Sequence, residues 1–192
     1  MTAWVYLPTI PTNNAGIVGF NPANPCGALS MFPNGDCHIQ ACMSAISPTS
    51  QNPAVNSATC ISPNTWYFAA ASTNQTSNTL SVYVDGQVNS ISFGSENTLS
   101  ANEIDIGEFE SQGAMFNGYI SNVQIYNTTL SSNELGAIYH EGIGGAPIDP
   151  QNLMGWWPLN GNVQDYSGNN NNGQISGGLT FTSQWLNGYS TP

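Results

Sequence analysis

The 192-residue sequence predicts an all-β, antiparallel sandwich with one short helix. Three observations carry the prediction. Short β-rich runs recur along the chain, each bounded by turn residues. A hairpin turn is spelled out at Asp85-Gly86. One stretch alone combines helical spacing with capping residues at its start. Many short strands at such spacing are the pattern of antiparallel sandwiches.

The elements follow in chain order. Met1 to Leu7 contains Trp4-Val5-Tyr6 and reads as the interior of a strand. Pro33-Asn34-Gly35-Asp36 marks a hairpin turn inside a cysteine-bearing stretch. Thr65 to Ala71 reads as a buried strand. Leu80 to Val84 alternates and stops at Asp85-Gly86, residues that favour the primed geometry of two-residue hairpins, and Gln87 to Phe93 returns. Glu103 to Ile106 and Phe116 to Tyr126 continue in the same style. Ser131-Ser132-Asn133-Glu134 is a capping box, followed at helical spacing by Leu135, Ile138 and Tyr139. Gly142 supplies the stop, with His140 in the last turn, where a cation is favoured. Gly144 to Asn152 holds two Pro and two Gly and reads as a linker.

Composition narrows the partners. The chain has no Lys and no Arg against 11 Asp plus Glu, a formal charge of -11. Only 6% of residues are charged, where about 25% is usual. With 40% hydrophobic residues the chain has the means to build a core, unlike a disordered acidic tail. No cation is available to neutralise phosphates, which argues against nucleic acid as a partner. An anionic membrane surface would repel the chain for the same reason, and no apolar run reaches the roughly 18 residues of a membrane span.

Cys26, Cys37, Cys42 and Cys60 lack the paired short spacing of a zinc site, and an even number in a polar, acidic chain favours two disulfides. Three connectivities remain open. Cys26 with Cys42 is mildly favoured, because those two flank the hairpin at 33–36. Disulfides imply an extracellular location. The N-terminus lacks the charged and apolar regions of a signal peptide, so Met1 is not expected to be the start of the precursor.

These segments resemble the laminin-G-like group of concanavalin A-like jelly rolls. Phe116 to Tyr139 is similar to the family's closing strand, turn and short helix; Thr65 to Val88 to its central hairpin; Met1 to Leu7 to its early Trp-Val-Tyr strand. Gly155 to Gly173, with Trp156-Trp157-Pro-Leu159 and Asp165-Tyr-Ser-Gly-Asn169, is similar to its opening strand and turn. The resemblance implies an antiparallel jelly-roll β-sandwich. The order departs from it, since the opening segment comes last here, and the stretch from Cys26 to Cys60 has no counterpart.

The implied organisation is a sandwich over 1–145 lacking its first strands, a linker at 146–152, and an opening segment at 153–192. That last segment folds back on its own chain, begins a second repeat, or inserts into a neighbouring subunit. Donation to a neighbour is the favoured expectation, with Trp156, Trp157 and Leu159 as the assembly strand, too apolar to hang in water. A head-to-tail contact that does not close yields a filament of copies of this chain. The expected function is therefore an extracellular structural subunit of a surface filament or adhesin array. The alternative is a glycan-binding, lectin-like module of a larger secreted adhesin or enzyme.

Chemical motifs are sparse. Glu103-Ile-Asp105-Ile-Gly-Glu108 is similar to the Glu-x-Asp-x-x-Glu signature of retaining β-glucanases on the same architecture. Such chemistry needs carboxyls about 5 to 5.5 Å apart, and a bulge at Gly107 would be required to return Glu108 to the face of the other two. Without further likeness to those enzymes, solvated carboxylates on a strand are the preferred reading and no catalysis is expected. Asp165 is a candidate calcium ligand, but one carboxylate is few, and a turn in which its side chain bonds its own backbone is preferred. Asn74-Gln-Thr76 and Asn127-Thr-Thr129 are N-glycosylation acceptors. His38 and His140 are isolated, with no metal pair or nucleophile around them.

Overall fold

The hairpins marked in the sequence are the ones that form. The computed structural model describes residues 1–21, 29–33, 35–43, 52–94, 103–109, 114–182 and 192. In chain order the strands are β1 (Thr2–Tyr6), β2 (Val18–Asn21), β3 (Leu29–Pro33), β4 (His38–Met43), β5 (Ala54–Cys60), β6 (Trp66–Asn74) and β7 (Thr79–Val84). Then come β8 (Gln87–Ser92), β9 (Glu103–Ile106), β10 (Glu108–Phe109), β11 (Ala114–Met115), β12 (Tyr119–Tyr126), helix α1 (Ser132–Glu141) and β13 (Leu153–Trp157).

Two antiparallel sheets face each other. One has six strands in the order β13-β12-β1-β6-β7-β8, the other five in the order β5-β4-β3-β2-β9. This is the all-β jelly-roll sandwich that the sequence predicts. The β7–β8 turn has positive φ at both Asp85 and Gly86 (44° and 88°), as a primed turn requires. β3 and β4 form the hairpin expected around 33–36, with Pro33 opposite Ile39; Asn34 lies outside the described residues.

Alternation divides the side chains of the six-stranded sheet between two clusters. Ala3, Val5, Ala69, Val82, Val123 and Ile125 face inward and meet Val18, Met31, Ile39 and Ala41 of the other sheet. Trp4, Trp66, Phe68, Tyr83 and Tyr126 face outward, where Leu135 and Ile138 of α1 cover part of them. The helix starts as its capping box dictates. Ser131 Oγ accepts from the Glu134 backbone N–H at 3.3 Å, and Glu134 Oε2 accepts from the Ser131 N–H at 2.7 Å. Gly142 ends it at φ 82°, a conformation that favours glycine.

β13 pairs antiparallel with β12 of the same chain, Trp157 opposite Val123 and Trp156 opposite Gln124. This corrects the expectation that Trp156, Trp157 and Leu159 form a strand given to a neighbouring subunit. The edge of β12 needs N–H and C=O partners, and β13 provides them in cis. Trp157 turns inward and is 4% exposed, packed in the inter-sheet core with Leu159 against its margin. Gly155 makes this seating available: a Cβ there would lie 2.2 Å from the Trp157 ring. Trp156 takes the outer face, its Nε1 donating to Asn122 Oδ1 at 2.7 Å.

The segment from Gly144 to Asn152 is anchored to β12. Asn122 Nδ2 donates to the Gly145 carbonyl (2.8 Å), and the Asn127 N–H to the Asn152 carbonyl (3.0 Å). Cys37 and Cys60 form a disulfide. Cys42 is disulfide-bonded as well, while Cys26, its favoured partner from sequence, lies outside the described residues. Among the described residues no helix is long and apolar enough to cross a membrane.

Candidate functional site

The sheets are unequal, and the inequality makes a cleft. β5 lies over β7 and β8 at one side of the sandwich. At the other, β9 ends the five-stranded sheet while β12 and β13 carry the six-stranded one further. A cleft of about 2850 Å³ runs along that side, lined by β9, β10, both ends of β12 and the segment from Pro158 to Thr182. Of the eight large hydrophobic residues exposed among the described ones, seven line it, Met115, Tyr119 and Phe181 included; Val88 is the exception.

One end of the cleft carries a row of aromatic rings. Tyr6 of β1 lies opposite Tyr119 of β12 and, on its other side, opposite Trp66 of β6. Directly opposed side chains share a face, and the rings meet: Tyr6–Tyr119 at 5.4 Å, Tyr6–Trp66 at 5.7 Å and Trp66–Tyr119 at 6.4 Å between centroids. In the neighbouring row, Trp4 and Phe68 are covered by Tyr139 of α1, stacked on Trp4 at 5.9 Å. Among the described residues, the Tyr6 row meets only its own three rings. Trp66 is buried, Tyr6 is half-buried, and Tyr119 is 43% exposed on the cleft wall. The Tyr6 hydroxyl donates to Asn64 Oδ1 at 3.0 Å, which fixes its ring. This row escaped the sequence reading. Its available signal was the outward alternation of Trp4-x-Tyr6 and Trp66-x-Phe68.

Glu103, Asp105 and Glu108 also line the cleft. Ile104 and Ile106 pack against the core, which puts Glu103 and Asp105 together on the opposite face of β9, as expected from alternation. Gly107, at φ 86°, is where the chain leaves that sheet, and Glu108 belongs to the separate β10–β11 pair. The only described trio of His, Cys, Asp or Glu with ligand atoms within 4.8 Å of one another is Asp36, Cys37 and His38. The Cys37 sulfur is in a disulfide, and Asp36 Oδ1 accepts from the His38 N–H at 2.7 Å, so that trio is a local turn. Backbone donation from His38 is the main reason the Asp36 carboxyl sits below its ordinary value.

Asp165 is built into a turn. Oδ1 accepts from the N–H groups of Trp156 (2.9 Å) and Ser167 (2.8 Å); Oδ2 accepts from Ser167 Oγ (2.9 Å) and the Asn171 N–H (2.9 Å). Burial alone would raise its carboxyl, but the bonds from Trp156, Ser167 and Asn171 outweigh it and hold the group below its ordinary value. Four donors already occupy the carboxylate, and its work is to clamp the returning segment onto β13. Trp157 Nε1 adds a bond to the Asn171 carbonyl at 3.0 Å.

The two glycosylation acceptors meet at the cleft end opposite the aromatic row. Asn74 Oδ1 accepts from the Thr76 and Ser77 N–H groups (2.9 and 3.0 Å). Thr129 Oγ1, of the second acceptor, donates to the Thr73 carbonyl at 2.7 Å. His38 and His140 do not line the cleft.

A laminin-G-type model of the concanavalin A-like lectin/glucanases superfamily matches residues 1–136. The chain belongs to that superfamily. The match ends before β13, so it does not support a permuted order of segments; what places the opening-like segment is its pairing with β12. No curated protein matches the chain.

Solved structures give the same fold. A Bacteroides ovatus protein, described provisionally as carbohydrate binding, aligns with a TM-score of 0.65 at 17% identity over 88% of this chain. This chain spans about half (49%) of that protein. The heptameric SAP-like pentraxin of Limulus polyphemus aligns at 0.54 and 16% identity, covering 71% of this chain and 68% of its own. The CBM40 of Ruminococcus gnavus IT-sialidase, bound to α2,3 sialyllactose, aligns at 0.54 and 10% identity over 71% of this chain and 80% of that one. At such identities the likeness speaks for the fold, and the fold hosts many functions.

Proposed function

We propose that this chain is a glycan-binding module of a secreted or surface protein, with the cleft as its site. The observation that carries the reading is the Tyr119–Tyr6–Trp66 row, which ends in a half-exposed ring on the cleft wall. A buried indole and a hydrogen-bonded tyrosine hold that ring in place, so it offers an apolar face at little entropic cost on binding. Stacking of a sugar ring on such a face suits the surroundings, since carboxamides and carboxylates along the cleft match hydroxyl groups. Solved neighbours described as carbohydrate binding, or bound to a sugar, support the reading. Disulfides and two glycosylation acceptors support an extracellular setting. The filament reading loses its main support, because the strand meant for a neighbour pairs at home. Glu108 belongs to a different strand pair from Glu103 and Asp105, and binding without turnover is the function proposed.

Glycan-array binding by the purified chain tests it. The Tyr119→Ala variant should bind its best glycan about 10-fold more weakly, whereas Tyr119→Phe keeps the ring and most of the affinity. An array without signal, or unchanged affinity in Tyr119→Ala, would overturn the assignment. N-glycans at Asn74 and Asn127 are part of the proposal; the intact mass of the chain from a glycosylating host reads them directly.

A further inference from the structure

Resting on the glycan-binding reading, we infer that the cleft selects uncharged glycans and rejects those bearing carboxylate, sulfate or phosphate. Recognition of an anionic sugar needs a cation or a dense set of N–H donors near the anion, usually an arginine fork. This chain has neither Lys nor Arg among its 192 residues. The two histidines lie away from the cleft.

The cleft instead carries anions of its own. Glu103 is exposed, Asp105 and Glu108 are half-buried, and all three line the cleft. On a surface with formal charge -11 they act in the same direction as the rest of the protein field. A sugar carboxylate brought into the cleft gains no counter-charge and meets like charge at short range, which disfavours it. Hydroxyl groups face the opposite situation. A carboxylate is an acceptor with room for several O–H donors, and Asn117, Asn160 and Gln174 on the same cleft both donate and accept. The surface therefore matches a ligand rich in hydroxyls and free of charge, with a C–H face for Tyr119.

This separates the chain from the CBM40 fold neighbour bound to sialyllactose. The two share a scaffold and, on this inference, do not share an anionic ligand.

A paired titration tests the inference. The intact chain is measured, with EDTA present, against neutral oligosaccharides and their sialylated, sulfated or uronate counterparts of the same core, at low and high salt. Binding of neutral members with their anionic counterparts at least about 10-fold weaker is the expected result. The gap should narrow in high salt, and the ratio of anionic to neutral affinity should likewise rise in a Glu103→Gln, Asp105→Asn, Glu108→Gln variant, whatever its affinity for the neutral members. Anionic counterparts bound as well as or better than the neutral ones would overturn the charge rule while leaving the glycan reading intact. If no member of either set binds to folded protein, the glycan reading itself falls and this inference with it.

Discussion

The two sides of the sandwich are held in different ways. On the closed side, β5 lies over β7 and β8, the Cys37–Cys60 bridge ties β4 to β5, and the turn at Asp85-Gly86 joins neighbours in sequence. On the open side, β13 comes from far along the chain. Its seat rests on the inward indole of Trp157 and the four-donor turn at Asp165, with no disulfide among the described residues there. Covalent and local links make the first side robust. The second depends on a few long-range contacts, and that is the side where exposed apolar rings and the cleft occur. Binding surfaces are commonly drawn from the less stable parts of a fold, and the difference between the sides fits that rule.

Removing the open side's main contact should give the largest effect. Trp157→Ala deletes a side chain 4% exposed and its bond to Asn171, an expected loss of about 3 to 5 kcal/mol. Hydrogen exchange should then show β13 and the segment to Thr182 opening well before β6 and β7. Uniform loss of protection across both sheets would instead mean that the two sides are one cooperative unit and that the contrast drawn between them is mistaken.

The closed side has its own lever. Cys37→Ser opens a loop closed across 23 residues of sequence, and the chain-entropy estimate for such a loop is about 3 kcal/mol. The loss should appear in the denaturant midpoint, with β13 still protected as in the parent. A midpoint unchanged within error would show that the pairing of β4 with β5 suffices without the bridge.

How far the sequence reaches differs between the sides in the same way. Asp85-Gly86, the capping box at Ser131 and the alternation of Trp156 and Trp157 are local signals, and local chemistry is enough to read them. Where β13 goes is not local, because a strand offers the same N–H and C=O groups to its own chain or to another. The Trp156-Trp157 pattern therefore pointed to burial without naming the host. The aromatic row was hidden for a related reason. Tyr6, Trp66 and Tyr119 are far apart in sequence, each an ordinary strand aromatic, and only register brings their rings together. The Glu103, Asp105, Glu108 motif shows the limit of spacing alone: it resembles a catalytic set although solvated carboxylates are the preferred reading, and Gly107 is where the chain passes from β9 to the separate pair that holds Glu108.

The smallest effect expected is electrostatic and belongs to the closed side. Asp85 accepts the Phe68 N–H at 2.8 Å, but burial pushes its carboxyl up to about 6 despite that bond. In the unfolded chain an aspartate titrates near roughly 3.9. Between those values the folded protein holds a proton that the unfolded chain has released. This contribution is thus fully present below about pH 4, declines as pH rises through about 6, and is flat above. Asp85 is only half-buried, so solvent screening reduces the cost of its charge to about 1 kcal/mol at neutral pH. Asn in its place keeps an acceptor for Phe68 and tolerates the φ of 44°. Asp85→Asn should therefore be the more stable protein at pH 7 by about that amount, with the advantage vanishing near pH 4. Urea midpoints of both proteins across that range decide it. A variant no more stable than the parent at pH 7 would mean that the charged carboxylate is well accommodated in the turn, and that the closed side tolerates charge as readily as the open one.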